Sequence, residues 1–497
     1  MSGMESPRES RWVWQALVVL VVAGVVYWPL LGSSGFSFSE GQRVLPGWDM
    51  VHSGDWLATR LFEQLYMRKP PGMPWAVGVA SILFGENEFS ARSVSALAMT
   101  VGCLLSFAFA QRWFGSPWGL VAGVAHALTP WYWDPGRSAE IEALHNLCVQ
   151  CAMLTMIELL VARPQRPLLW ALILAACTAG MVLVKGPSGL PCVGGALLGA
   201  CLATRSVRPL RNAWLWAGLA AGAAAIAWVA WRIYSHVHDL PEVPVTEPPG
   251  RFLWRKDKLL FTLILPFTTL GAALPASTSL ILTLFRGVDP TTLRARIGRA
   301  LLWTCLTSVG IYTVVGVYNH RYAMPATTVL PCLLGFAFQR VEASTSMLAA
   351  RLRRALPVRR LWIPGACLLL AAFVIVGWTH YRRAHRTSGY DVGVALGEVL
   401  EDGREVWSDQ LLDNRPEVFY YARRRAAELG RHVRVLWRLP HSTPPLPMPP
   451  VGSYLVLLEG KELDRYKEEG ALQELHEVFS GAAHNFVFHV YQHVPGP

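Results

Sequence analysis

Charged residues make up only 16% of this 497-residue chain, and those that interrupt apolar surroundings fall into a few short groups. Glu40 and Asp55 share a polar opening segment, residues 33–88, with Arg68 and Lys69. Arg137, Glu140 and Glu142 head a later apolar run, Lys185 precedes Gly186 and Pro187, and Arg251 stands close to Arg255 and Lys256. Tyr318, Asn319, His320, Arg321 and Tyr322 complete the set. Ionisable groups embedded among apolar spans are costly enough that function is their default reading. Cations gathered with carboxylates at one membrane face suit a phosphate-bearing lipid substrate. The cations bind phosphate, and a carboxylate acts as base or stabilises positive charge.

Each residue also has a purely architectural reading. Glu140 or Glu142 could serve the dipole at a helix N-terminus or pair with Arg137. Lys185 could snorkel to the interface. Asp55, ahead of Trp56, fits a turn or cap. His320 has no partner at metal-ligand spacing and suits a structural or phosphate-donating role, so no metal site is expected and a divalent ion finds no support in ligand spacing.

The elements that must position these groups are membrane helices. A composition 53% hydrophobic, with mean hydropathy +0.31, leaves too little charged surface for a soluble globule. About 20 apolar residues cross a hydrocarbon core, and such runs recur near 12–32, 89–111, 117–133, 140–162, 168–184, 187–203, 213–235, 258–285, 300–318, 322–340 and 361–379. The expectation is an all-α polytopic membrane protein of about eleven spans, with 258–285 kinked or broken at Pro266 and Pro275. The run 72–84 is too short to span and reads as an interfacial or re-entrant helix.

The net charge of +11 does not point to nucleic acid. Arginines cluster between spans, at Arg112, Arg163, Arg166, Arg205 to Arg211, Arg286 to Arg299 and Arg340 to Arg360, as cytoplasmic loops require. Eleven spans then place the N-terminus in the cytoplasm. The 33–88 loop, residues 134–139, Lys185, 236–257, 319–321 and everything after Tyr381 fall outside, which in a bacterium is the outer face of the inner membrane. A long irregular segment in a compact fold is functional or disordered, and Trp48, Trp56, Tyr66 and Trp75 argue against disorder in 33–88.

Arg8 and Arg11 precede a span with no cleavage motif, so it is read as a retained helix. All nine cysteines lie in or beside apolar spans; no disulfide is expected, and Cys148 with Cys151 are packing residues. Residues 1–384 form the membrane domain and 385–497 a soluble extracytoplasmic α/β domain. Its strands are read at 406–407, 433–438, 453–459 and 485–492, its helices at 415–428 and 461–478, and a Pro-rich connector at 441–450.

The ordering of short motifs then becomes specific. Glu40 is followed thirteen residues later by Ser53-Gly54-Asp55-Trp56, then Tyr66-Met67-Arg68-Lys69-Pro70-Pro71 and Leu83-Phe84-Gly85. Phe89-Ser90-Ala91-Arg92, Lys185-Gly186-Pro187 and Arg321-Tyr322 ahead of Pro325 continue the series over about the first 340 residues. This pattern resembles the C-type (GT-C) glycosyltransferase superfamily, family 39-like, especially relatives of lipid A aminoarabinose transferase and protein O-mannosyltransferase.

The resemblance implies a GT-C fold, a polyprenyl-phosphate sugar donor, an outer-face active site and inversion at the anomeric carbon. It implies that Lys69, Lys185, Arg251 and Arg321 meet the donor phosphate. Glu142 would match the acidic residue of the second outer loop, and Asp55, Tyr66, Glu140, His320 and Tyr322 would be secondary. Two residues depart from the pattern. Ser39 stands where the family carries its first-loop catalytic aspartate, and Arg68 replaces a glutamate. Glu40 or Glu142 must then supply the carboxylate, unless an acceptor that is already an ionised phosphate needs no base. The acceptor is a lipid, glycan or protein. Rival readings are a catalytically altered relative and a lipid-linked sugar flippase; the inverted repeats and midplane site of a transporter are not evident.

Overall fold

The computed structural model describes residues 7–37, 39–240, 259–285, 288–317, 319–355, 362–382, 389–408, 410–437, 448–483 and 486–494. Arg251, with Arg255, Lys256 and Tyr318, lies outside them. Five helical runs are long and apolar enough to cross a membrane: Glu88–Phe114, Ile141–Ala162, Pro167–Thr204, Ala213–His238 and Leu293–Val315. Shorter apolar helices include Arg11–Tyr27, Gly72–Phe84, Trp118–Ala127, Leu263–Ala272 and Gly365–Ile375. The span expected over 117–133 is helical only to Ala127, and a 3₁₀ turn follows at Pro130–Tyr132. Pro130 has no N–H to continue the helix and holds Thr129 extended, at ψ 110°. The expected break in 258–285 falls between helices Leu259–Ala272 and Thr278–Leu282, at Pro275. All nine cysteines are free thiols.

Close helix packing rests on small residues, because lipid offers helices no hydrophobic force toward one another. Helix Leu293–Val315 lies along Leu190–Thr204, where a Cβ on Gly199 would meet Thr304 N at 2.6 Å. Thr307 Oγ1 donates to the Gly195 carbonyl at 2.8 Å across the same seam.

The opening segment is more ordered than its loop-like composition suggests. A 13-residue helix, Gly41–Ser53, runs through it despite Pro46. It crosses helix Gly72–Phe84 where Gly47 lies so near that a Cβ would stand 2.6 Å from the Pro74 carbonyl. Strands β1 (Arg60–Leu61) and β2 (Gln64–Leu65) form a short hairpin between the two helices.

In the tail, β3 (Glu405–Ser408), β4 (Arg434–Trp437), β5 (Tyr454–Leu458), β6 (Leu475–Ala483) and β7 (Phe486–His493) make one sheet. Its order is β4-β3-β5-β7-β6, parallel across β4-β3-β5 and antiparallel beyond. The expected helix over 461–478 stops earlier: Lys461–Glu468 is helical, and residues from Leu475 join the sheet as β6. Every residue of β5 is buried, because helices Tyr390–Val399 and Pro416–Glu428 cover one face and Leu463 with Tyr466 the other. Leu61 and Tyr66 of the hairpin belong to the same apolar core as Leu396, Val418 and Phe419. The tail therefore grips the opening segment. Tyr421 Oη donates to Glu88 Oε1 at 2.7 Å and accepts from Phe36 N at 2.8 Å.

Candidate functional site

A cavity of about 350 Å³ opens where four separate stretches of chain meet. Ser39, Arg43 and Lys69 come from the opening segment, Glu140 and Glu142 from the head of helix Ile141–Ile157, Lys185 from the end of helix Pro167–Lys185, and Arg321 with Tyr322 from the turn after helix Leu293–Val315. Helix ends and tight turns bring these groups together, so each needs only a short backbone stretch to be fixed.

Lys185 Nζ stands 3.2 Å from Glu142 Oε1 and 4.7 Å from the centre of the Tyr322 ring. Both members of the pair are largely buried, and Glu142 Oε2 has no hydrogen-bond partner among the described residues. Glu140 occupies the cap position ahead of that helix with extended backbone and makes no capping bond. Its Oε1 accepts from Ser39 Oγ at 2.6 Å. Glu140 faces the cavity, half-buried by exposed area yet enclosed by surrounding protein. Burial first, then the charge of Glu142, pushes its carboxyl up to about 7, while Arg43 and the Ser39 hydroxyl pull the other way.

Arg43 was not anticipated. It sits three residues after Glu40 on helix Gly41–Ser53, lines the cavity, and its Nε is buried without a hydrogen-bond partner among the described residues. Only knowledge that 41–53 is helical would have turned it inward. Ser188 was missed as well; it accepts a 2.7 Å bond from Tyr312 Oη at its carbonyl and lines the same wall.

Other expected site residues lie elsewhere. Glu40 is 1% exposed and spent on structure. Arg92 Nε and Nη2 donate to its two oxygens at 2.8 Å each, and Ser37 N and Ala139 N add bonds of 2.9 and 2.8 Å. Its carboxylate is thus engaged around the turn before Ser39, and Glu40 is not among the residues that line the cavity. A buried ion pair persists only when its remaining valences are satisfied in this way. Arg92 also donates to the carbonyls of Leu31, Ser34 and Gly35, pinning the turn ahead of Ser39.

Asp55 is a turn residue. It accepts from Leu57 N and Ala58 N and pairs with Arg60 at 2.9 Å and His236 at 3.0 Å. Burial works upward on its carboxyl, but those bonds, from His236 and Arg60 above all, outweigh it and hold the group down at about 2. Tyr66 is buried in the tail core rather than the cavity. His320 packs against Trp131, with ring centroids 5.7 Å apart and the rings tilted by 31°. Arg321 reaches Asp134 at 3.5 Å from the cavity rim. Among the described residues no three His, Cys, Asp or Glu side chains converge as a cation's ligand set would need.

Beside the cavity runs an apolar groove of about 770 Å³, walled by Val182, Leu183, Ile226, Val229, Ile233 and Tyr234. Lys69 lines both spaces. The Lys185-Gly186-Pro187 turn divides them, with Gly186 toward the groove and its two neighbours toward the cavity. One cation thus stands at the junction of an apolar channel and a charged chamber.

Residues 68–231 match the family described as dolichyl-phosphate-mannose-protein mannosyltransferase. The undecaprenyl phosphate-alpha-4-amino-4-deoxy-L-arabinose arabinosyl transferase of Pectobacterium atrosepticum is 24% identical over 229 residues, 45% of this chain and 40% of that protein. Its counterpart in Pseudomonas savastanoi pv. phaseolicola is 33% identical over 69 residues, 14% of this chain and 13% of the relative. The matched stretch thus spans less than half the length of either curated relative.

In three dimensions the alignment runs over nearly the whole chain. The crystal structure of ArnT from Cupriavidus metallidurans bound to undecaprenyl phosphate aligns over 98% of this chain and 99% of its own, at 18% identity and TM-score 0.66. The apo structure aligns over 97% and 98%, at 19% identity and TM-score 0.68. The chain is an integral membrane protein with the GT-C fold of those structures, and its sequence resembles the 4-amino-4-deoxy-L-arabinose transferases.

Proposed function

We propose that this chain is a membrane glycosyltransferase that moves a sugar from a polyprenyl-phosphate donor to a lipid, glycan or protein acceptor, with inversion. The observation that carries the proposal is the shared wall at Lys69. An apolar groove suited to a prenyl chain meets a cavity lined by Lys69, Arg43, Lys185 and Arg321, which suits the attached phosphate. Arg251, carried by the sequence resemblance alone, is proposed as a further phosphate partner.

In the proposed reaction the acceptor oxygen attacks C1 of the sugar as the C1–O bond to the lipid phosphate breaks. Positive charge grows on the sugar ring and negative charge on the phosphate, where fixed cations stabilise it. The acceptor's hydroxyl proton passes to Glu140, the cavity carboxylate that Ser39 orients and that burial makes a competent base near neutral pH. Glu142 holds Lys185 in place through their ion pair. In this reading the aspartate missing at position 39 is replaced by a hydroxyl that orients a carboxylate from the next outer segment.

The proposal includes the eleven-span topology, with a cytoplasmic N-terminus, the cavity and the tail beyond residue 385 on the outer face, and residence in a bacterial inner membrane. Supplying vesicles that contain the protein with radiolabelled polyprenyl-phosphate sugar tests it. Label transferred to an acceptor supports the reading; label that only crosses the bilayer identifies a flippase instead.

A further inference from the structure

At the end of the bundle away from the cavity, four arginines gather with no carboxylate to answer them. Arg205 caps helix Leu190–Thr204 with left-handed backbone, at φ 50°. Arg296 and Arg299 lie in the first two turns of helix Leu293–Val315, and Arg340 in the last turn of helix Leu330–Ala343. Arg205 and Arg296 stand close enough to Arg299 to repel it, and Arg299 acts likewise on Arg340. Their hydrogen bonds go to backbone carbonyls: Arg296 Nη2 to Thr291 at 3.2 Å, Arg299 Nη1 to Pro290 at 2.9 Å and Arg340 Nε to Phe285 at 2.6 Å. Arg299 Nε is buried without a partner among the described residues.

Arginines between membrane spans are ordinary, but others on this chain find a counter-charge. Arg112 at the end of helix Glu88–Phe114 stands 3.6 Å from the buried Glu158. Helix Leu293–Val315 instead opens with no acidic residue in its first turn, where the helix dipole already disfavours cations. Among the described residues none of the four arginines has an ion pair, so the neutralising group must come from outside the chain. From Arg299 to Val315, which lines the cavity, the helix rises about 24 Å at 1.5 Å per residue. The cluster therefore lies toward the membrane face opposite the cavity.

Apolar surface leads directly from these arginines into the membrane. Leu198 and Leu202 precede Arg205 by two turns and one turn of the same helix face, and Trp303 follows Arg299 by one turn of its own. Leu198, Leu202 and Trp303 remain 48, 45 and 37% exposed. They border the seam where Gly199 abuts Thr304 and Thr307 bonds to the Gly195 carbonyl. Guanidinium groups at the head of an open apolar seam have the layout of a phospholipid, a phosphate above acyl chains.

We propose that this cluster binds the phosphate of an anionic phospholipid whose acyl chains lie along the seam of Leu198, Leu202 and Trp303. Planar guanidinium forks bond two phosphate oxygens at once, and cations at a membrane surface attract anionic lipids. A zwitterionic lipid fits less well, because its ammonium group would enter an array of cations with no carboxylate to receive it. The site uses no residue of the cavity and stands apart from the transferase reading.

The test titrates the full chain, purified in detergent, with phosphatidylglycerol and with phosphatidylcholine of the same acyl chains, counting bound lipid by native mass spectrometry. Phosphatidylglycerol is expected to bind at least about tenfold tighter, by a margin that shrinks as salt rises. Arg296→Gln combined with Arg299→Gln is expected to remove most of that margin. Arg163→Gln combined with Arg166→Gln, an equal loss of charge in another loop, is expected to leave it. Arg205→Gln, at an exposed helix end, is expected to lose about threefold or more and keeps the test readable should the first pair fail to fold. Equal binding of the two lipids, wild-type preference in Arg205→Gln, or the same loss from the Arg163 and Arg166 pair would overturn the proposal. So would full displacement of the lipid by millimolar glycerol phosphate, which would make a soluble phosphate the occupant.

Discussion

Ser39 and Glu140 are joined by a 2.6 Å hydrogen bond across 101 residues of sequence. The opening segment thereby contributes a hydroxyl to a carboxylate of the next outer segment, inside the cavity that also holds Lys69 and Lys185. With Glu140 as base, its protonated form is inactive, so turnover rises with pH through about 7, the value to which burial and Glu142 lift this carboxyl. Glu140→Gln is expected to lower turnover by about 10²-fold or more and to abolish that acid limb. Ser39→Ala removes a bond that favours the ionised form, so the limb moves to higher pH. A pH–rate profile of the three proteins measures this; an unshifted limb in Ser39→Ala contradicts the pairing.

Glu40 behaves differently because it is a structural anion. Its partner Arg92 is 1% exposed and fixes both Glu40 and the turn before Ser39. Arg92→Ala leaves a buried carboxylate without its cation, at a cost of about 3–5 kcal/mol. Glu40→Gln is expected to lose melting temperature and activity together, whereas Glu140→Gln loses activity alone. Thermal melts of the purified variants separate the two roles.

Gly47 is where helices Gly41–Ser53 and Gly72–Phe84 touch. A methyl group there would sit 2.6 Å from the Pro74 carbonyl oxygen, so one helix must move. Gly47→Ala is expected to destabilise by about 1–3 kcal/mol. Because Arg43 and Lys69 flank this crossing, donor affinity is expected to fall with it. A thermal melt together with a donor titration checks both effects.

Glu417, at the contact between tail and opening segment, is held up at about 7 by burial, against the pull of Arg415 2.5 Å away. Its carboxyl is therefore raised above its ordinary value of 4.5. Between those two values the folded chain binds the extra proton, so the stabilisation is complete below about 4.5 and is lost as pH rises through about 7. Melting temperatures of wild type and Glu417→Gln at pH 5 and pH 8 measure this. The wild type is expected to lose stability at the higher pH, and the Gln variant to lose less.

Side chains at a helix end or a named turn were the ones a local pattern could locate. Glu142 stands at the start of one apolar helix and Lys185 at the end of another, and the two helix ends meet. Arg43 was not legible, because Pro46 and Gly47 made a genuine helix look irregular. That glycine is a packing requirement of the helix crossing, invisible without the second helix. Glu40 shows a related limit: it is one residue from the cavity-lining Ser39 in sequence, and only Arg92, 52 residues away, shows that its carboxylate is engaged. In the tail, alternating residues revealed most strands, but Leu475 continued the charged pattern of the helix before it and gave no sign of joining a sheet. The contact of Glu63, at the hairpin tip, with Arg434 of the tail joins residues 371 apart, and no local pattern encodes it.

The central claim is that Lys69 and Lys185 hold a prenyl-linked phosphate at the junction of groove and cavity. Native mass spectrometry of the purified chain with undecaprenyl phosphate, and with undecaprenol lacking the phosphate, measures it. Charge-assisted bonds of about 1.5–3 kcal/mol each predict that Lys69→Ala and Lys185→Ala each weaken undecaprenyl phosphate binding by about 10- to 100-fold, with undecaprenol binding weakly to all three proteins. Equal binding of both lipids, or wild-type affinity in both variants, would contradict it.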